Sequence, residues 1–175
     1  ITNGYKLSDL DFMKKSIQSG LDEVLFSIHG KDAESHDKLT GVKGSFRKVI
    51  RALRNADYSG LSIRINVVVT KDNCTELPEI AEIIAPFYPI SLNFLPFRVE
   101  NTASKSNMIK YSEITPYIKE TIDLWSTNMV MRVRYMPFCL MKDYEHYCCG
   151  YLQRLFDPYE WSEYCIRRFE PARKN

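Results

Sequence analysis

No apolar run in the sequence approaches the ~20 residues that cross a bilayer. The opening residues, ITNGYKLSD, hold neither the basic stretch nor the apolar core of a secretory signal. These two absences argue against a membrane partner and make a reducing cytosolic setting the expected compartment. An excess of one charge is also missing. Lys and Arg number 24 against 22 Asp and Glu, a net charge of +2, so the balance calls for neither nucleic acid nor an anionic membrane surface. An even set of cysteines, the mark of a disulfide framework, is absent too. The five are Cys74, Cys139, Cys148, Cys149 and Cys165, and in a reducing compartment they point to metal ligation or to burial. There is no initiator Met; ITNG reads as the end of a strand, so a start inside a domain is expected.

What is there is globular. A hydrophobic fraction of 45% and a charged fraction of 26% over 175 residues suit one domain able to bury a real core. Residues 1–136 alternate helix with strand. Ser8 is placed to cap a helix in which Leu10, Met13 and Ile17 share a face and which Gly20 ends. EVLFSI (23–28) reads as a short buried strand. Ser45 is placed to cap a helix carrying Phe46, Val49, Ile50 and Leu53 at i, i+3, i+4 and i+7. LSIRINVVVT (61–70), rich in β-branched residues, is the clearest strand. Thr75 and Ser112 are the expected caps of two further helices, and ISLNFL (90–95) and VMRVRY (130–135) are the remaining strands.

Near-continuous apolar strands alternating with helices imply parallel strands and right-handed crossovers. The expected fold is therefore α/β, a partial (β/α) barrel of parallel strands over residues 1–136. Residues 137–175 form an extension rich in cysteine and aromatic residues. In such folds sites lie at the C-terminal ends of the strands. Here those ends are Asn3-Gly4, Ser27 to Gly30, Asn66 to Asn73, Leu95 to Arg98 and Met136 to Cys139, the polar and irregular stretches of the chain. Half a barrel leaves an open edge, so self-association is expected.

The order of these segments is familiar. TNG, then FSIHGKDAESHDKLTGVKGSF (26–46), then INVVVTKDN (65–73) resembles the middle of a radical S-adenosylmethionine (SAM) enzyme. In that family strands end in TNG and in Ser-hydrophobic-Asp-Gly. A His-Asp turn then leads to Gly-Ser-Phe, and an Asn-x-Val-Val strand follows. The resemblance implies SAM and a 4Fe–4S cluster as cofactors, an electron donor, and a radical that abstracts hydrogen from a peptide or small-molecule substrate. It also implies a cluster loop of the form C-x3-C-x2-C, which this sequence does not contain. The expected ligands belong upstream of Ile1, and the chain alone is expected to be inactive.

Carried over by position, Ser27 and Asn66 are the expected SAM contacts, with Asn3 and Thr70 as further candidates. Ser27 has a plain alternative as a strand-end residue satisfying its own backbone, and Asn66 as a strand asparagine bonded internally. His29 stands where the family has Asp, with a cofactor contact or a turn-stabilising role open to it. His36-Asp37 reads as structural. Lys43 is the nearest cation where relatives carry an arginine, Arg98 is a candidate substrate contact, and Asn73 shapes a turn. Gly41 and Gly44 serve loop conformation and close approach at a helix start. Cys139, Cys148, Cys149 and Cys165 are candidate ligands of an auxiliary cluster or buried thiols, and Cys74 reads as structural. Two other readings stand beside the enzyme: a non-catalytic (β/α) binding domain, and a metal or thiol module in the tail.

Overall fold

The computed structural model describes residues 1–97 and 109–149. Four strands, β1 (Glu23–Ser27), β2 (Ser62–Val69), β3 (Ser91–Pro96) and β4 (Val130–Val133), form one sheet in the order β1-β2-β3-β4. Every pairing is parallel. Thr2 makes a further parallel bridge to Phe26 outside β1, so the ITNG stretch does lie along the sheet as a strand end. The helices are α1 (Leu10–Gln18), α2 (Ala33–Thr40), α3 (Ser45–Tyr58), α4 (Leu77–Ile84) and α5 (Tyr111–Trp125).

One face of the sheet makes the core. Val24, Phe26, Ile63, Ile65, Val67, Leu92, Phe94, Met131 and Val133 join Met13, Val49, Leu53, Ile80, Ile118 and Ile122 of the helices in a single buried cluster. Alternation along each strand sends the intervening residues to the other face. That face includes Leu25 and Ser27, Arg64, Asn66 and Val68, Ser91, Asn93 and Leu95, and Arg132. Leu25 is buried yet lies outside the cluster, as this alternation requires.

The caps differ from the hydroxyl pattern read in the sequence. Asp9, not Ser8, caps α1 by accepting from the Phe12 N–H, while Ser8 sits in a 3-10 turn and donates to the Tyr5 carbonyl. Ser45 is the first residue of α3 rather than its cap. The residue before it, Gly44, has a left-handed backbone and no side chain to offer. Asp37 from α2 fills that role across the turn, accepting from the Gly44 and Phe46 N–H groups and the Ser45 hydroxyl. Thr75 lies within a 3-10 turn ahead of α4, and Ser112 lies inside α5, behind Lys110. The segment 33–40, where the sequence pattern places no helix, is helix α2, capped by Asp32 and closed by Gly41 at φ 70°. Its moderate apolar content hid it: only His36 is buried.

Residues 137–149 run back over the end of the sheet. Cys148 bridges Val133 in parallel, Met141 is fully buried, and the Tyr144 hydroxyl donates to both carboxylate oxygens of Asp123 on α5 at 2.7 and 2.8 Å.

Gly30 fixes the start of α2 against the end of β1. A Cβ placed there meets the His36 amide nitrogen and the Ser35 hydroxyl well inside contact distance. Gly30→Ala should therefore lower stability by about 1–3 kcal/mol, the usual cost of overpacking. Urea denaturation measures it, and an unchanged midpoint would show that α2 shifts freely.

Candidate functional site

Parallel register aligns the polar positions of the face opposite the core into one row. Ser27 is the partner of Asn66, Asn66 of Asn93, and Asn93 of Arg132. Asn3 follows Thr2, which pairs beside Phe26, so Asn3 continues the row at the sheet edge. Two of the carried-over residues, Ser27 and Asn66, are thus neighbours on adjacent strands although far apart in the sequence. Asn93 and Arg132 were not singled out from sequence. Their signal was the alternation itself: a polar residue breaking an apolar strand, at the same level in successive strands.

The hydrogen bonding within the row is incomplete. Asn93 is fully buried and spends its amide N–H groups on the Ile65 carbonyl at 3.0 Å and Asn66 Oδ1 at 2.9 Å. Its own Oδ1 has no partner. By holding Asn66 Oδ1, Asn93 leaves Asn66 to present Nδ2, a donor with no partner among the described residues. The Ser27 hydroxyl and the half-buried Arg132 guanidinium likewise make no hydrogen bond or ion pair among the described residues. Buried polar groups are almost always paired, and here the fully buried Asn93 oxygen is left open to an incoming donor.

Beside it lies a junction in which everything is spent. Beyond β1 the Val68 N–H has no backbone carbonyl to meet, and His29 Nδ1 accepts it at 3.2 Å. The His29 N–H in turn donates to His36 Nδ1 at 3.0 Å. Asn73 closes the loop: its amide donates to the carbonyls of His29 and Val68, and its oxygen accepts from the Thr70 N–H and hydroxyl. Asn73 is a turn-shaping residue, and His29 stabilises the strand end. Its imidazole nitrogen, like the carboxylate of an Asp, is an acceptor. The Thr70 hydroxyl also accepts from the Asp72 N–H, and Asn3 Oδ1 accepts from the Tyr5 N–H, so both are engaged locally. Lys43 is exposed on the turn between α2 and α3, where Asp37 already occupies the helix start.

No family model matches the chain. Curated proteins do. A probable GTP 3',8-cyclase of Pyrobaculum aerophilum is 36% identical over 84 residues, 47% of this chain and 26% of that protein. Mycofactocin maturase MftC of Mycolicibacterium smegmatis is 36% identical over 87 residues, 49% of this chain and 22% of its own length. PqqA peptide cyclase of Granulibacter bethesdensis is 28% identical over 82 residues, 47% and 22% of the two lengths. Several of these proteins are radical SAM enzymes, and the chain shares a partial, distant similarity with them. Its matched span covers about a quarter or less of these proteins.

The two cofactors that this similarity implies fit the described residues unequally. The row suits a ligand with hydroxyl, amine and carboxylate groups. A 4Fe–4S cluster does not fit: no three His, Cys, Asp or Glu side chains converge as a metal site among the described residues. Cys139 is exposed, Cys148 buried and Cys149 half-buried. The Cys149 thiol faces the Val133 carbonyl at 3.9 Å. Burial, then Cys149 and Glu145, push the Cys148 thiol up, away from the thiolate a metal needs. Cys74 is buried, its thiol likewise pushed up by burial. Arg98 and Cys165 lie outside the described residues.

Burial and, less strongly, the neighbouring His36 lower the His29 pKa from 6.5 to about 4. Burial lowers that of His36 too, against the pull of Asp37. A histidine held neutral in the fold and protonated when unfolded contributes stability that is present above about pH 6.5 and lost on descent towards about pH 4. Unfolding midpoints should fall across that window, and less steeply in His29→Gln. Equal slopes in the two proteins would show that burial does not hold His29 neutral in the fold.

Proposed function

We propose that the chain supplies the SAM-binding portion of a radical SAM enzyme, its sheet being part of a (β/α) barrel with the polar row on the inner face. The observation that carries this reading is the row itself: Ser27 and Asn66, in register, both with unspent hydrogen-bonding groups. The Ser27 hydroxyl and the Asn66 Nδ2 donor would hold the ribose or amino-acid portion of SAM. His29 and Asn73 hold the strand ends that position them. Asn3 flanks the site, while Thr70 and Lys43 contribute to its surroundings rather than to direct contact.

Reductive cleavage of SAM at a 4Fe–4S cluster supplies the hydrogen-abstracting radical in such enzymes, and its ligands would come from outside these 175 residues. The chain by itself would then bind without turning over. A peptide is the favoured substrate class, because two relatives carry the names mycofactocin maturase and PqqA peptide cyclase. The tail from residue 137 would form a wall of the substrate pocket. Its bridge to β4 at Cys148 and its tie to α5 at Asp123 support that placement.

The test uses the full-length protein, purified and reconstituted without oxygen. SAM should bind, and a strong reductant should release 5′-deoxyadenosine. Ser27→Ala and Asn66→Ala should each weaken SAM binding about fivefold to tenfold, the worth of one hydrogen bond, with circular dichroism unchanged. Unaltered affinity in both variants would remove the row from the cofactor site, and no 5′-deoxyadenosine from wild type would end the enzymatic reading.

A further inference from the structure

We infer that Asn93 and Arg132 form a substrate subsite beside the cofactor site, one that takes a carboxylate with a neighbouring N–H, as an acidic peptide carries. The inference rests on the proposed cofactor position for Ser27 and Asn66, and it concerns the two strands beyond them.

The orientation of the Asn93 amide is set by its bonds. Both donors face acceptors, the Ile65 carbonyl and Asn66 Oδ1, so reversing the group would bring oxygen against oxygen. Its Oδ1 is thereby an acceptor without a donor at a position with no exposed surface. Leaving such a group unpaired in a folded protein is costly. An incoming N–H or O–H removes the deficit. Arg132 is the register partner of Asn93, one strand spacing away, about 4.8 Å. A single small ligand can therefore span the two.

Charge selects the ligand's other end. On this face Arg64 is paired with Glu23 at 3.0 Å. By strand alternation Arg132 stands on the same face, and no carboxylate pairs with it among the described residues. An anion is the complement of that surplus, and guanidinium binds carboxylate in a two-pronged geometry. A phosphate would satisfy Arg132 equally well. It would also set oxyanions against Asn93 Oδ1, which accepts and cannot donate. A carboxylate with an amide N–H nearby meets both requirements at once.

The experiment takes the full-length protein saturated with SAM and titrates N-acetylalanine, which has both groups. Parallel titrations use isobutyrate (carboxylate alone), N-acetylalaninamide (N–H alone) and inorganic phosphate, each followed by NMR line broadening. N-acetylalanine should bind tightest. Arg132→Gln, a change at a half-exposed position, should weaken it by about tenfold or more, the worth of a charge-assisted bond, and leave SAM affinity unchanged. Asn93→Leu should reduce N-acetylalanine to the level of isobutyrate. The inference is overturned if phosphate or N-acetylalaninamide binds as tightly, or if Arg132→Gln leaves the probe unchanged. Equal weakening of SAM by Arg132→Gln also overturns it, because Arg132 then belongs to the cofactor site. If SAM itself fails to bind, the cofactor reading falls separately and the probes are titrated alone with the same criteria.

Discussion

Parallel register is the constraint on which the rest depends. Neighbouring parallel strands have no shared turn, so only their ladder and the packing of the crossover helices set which residues lie side by side. Here Ser27, Asn66, Asn93 and Arg132 align on one level. A slip of one residue in β2 would move Asn66 into the apolar cluster and bring Ile65 or Val67 onto the polar face. The helices forbid that, because Ile63, Ile65 and Val67 are buried among α3 and α4 residues. Core packing therefore aligns the polar row without any member of the row needing to bond its neighbour.

That division explains why adjacent polar residues behave so differently. His29, Asn73 and Thr70 lie where β1 and β2 have run out of ladder, and each of their groups replaces a missing backbone partner. They are polar because the backbone there is unfinished. Asn66, Asn93 and Ser27 lie inside the ladder, where the backbone is already satisfied. Apolar side chains would be cheaper at those places. Polarity retained where the fold does not need it is the physical signature of a ligand, and completeness of hydrogen bonding separates the two classes better than residue type does.

Much of the α/β order was legible because it rests on periodicity. The strands at 23–28, 61–70, 90–95 and 130–135 differ from those observed by a residue or two at their ends, and the parallel arrangement followed from helix-strand alternation. Helix starts were less legible. Hydroxyl residues suggest caps from local sequence, but α3 is capped by Asp37 from the preceding helix, and no local pattern announces a cap reached across a turn. Helix α2 was obscured because it buries one residue, His36, and so shows almost no apolar stripe. In the candidate site, Ser27 and Asn66 stand out in the sequence only through the order of motifs that resembles the family. Asn93 and Arg132 fall in segments without such an order, and only the register joined them.

The row also shows how one polar side chain can set the chemistry of the next. An asparagine amide can offer a donor or an acceptor to a ligand, and the two differ by a half-turn of its last bond. In Asn66 the choice is made by Asn93, whose N–H occupies the oxygen and leaves the nitrogen outward. Asn93 is itself fixed by the Ile65 carbonyl, a backbone group of β2 that cannot turn. The direction is thus inherited from the sheet: carbonyl fixes Asn93, Asn93 fixes Asn66, and Asn66 presents a donor beside the Ser27 hydroxyl. At the far side of the same chain the unpaired group is the Asn93 oxygen. A fixed donor on one flank and a fixed acceptor on the other make the two ends of the row unlike in kind. A ligand that suits the Ser27 end is therefore not the one that suits the Arg132 end, as the proposed placement of cofactor and substrate side by side requires.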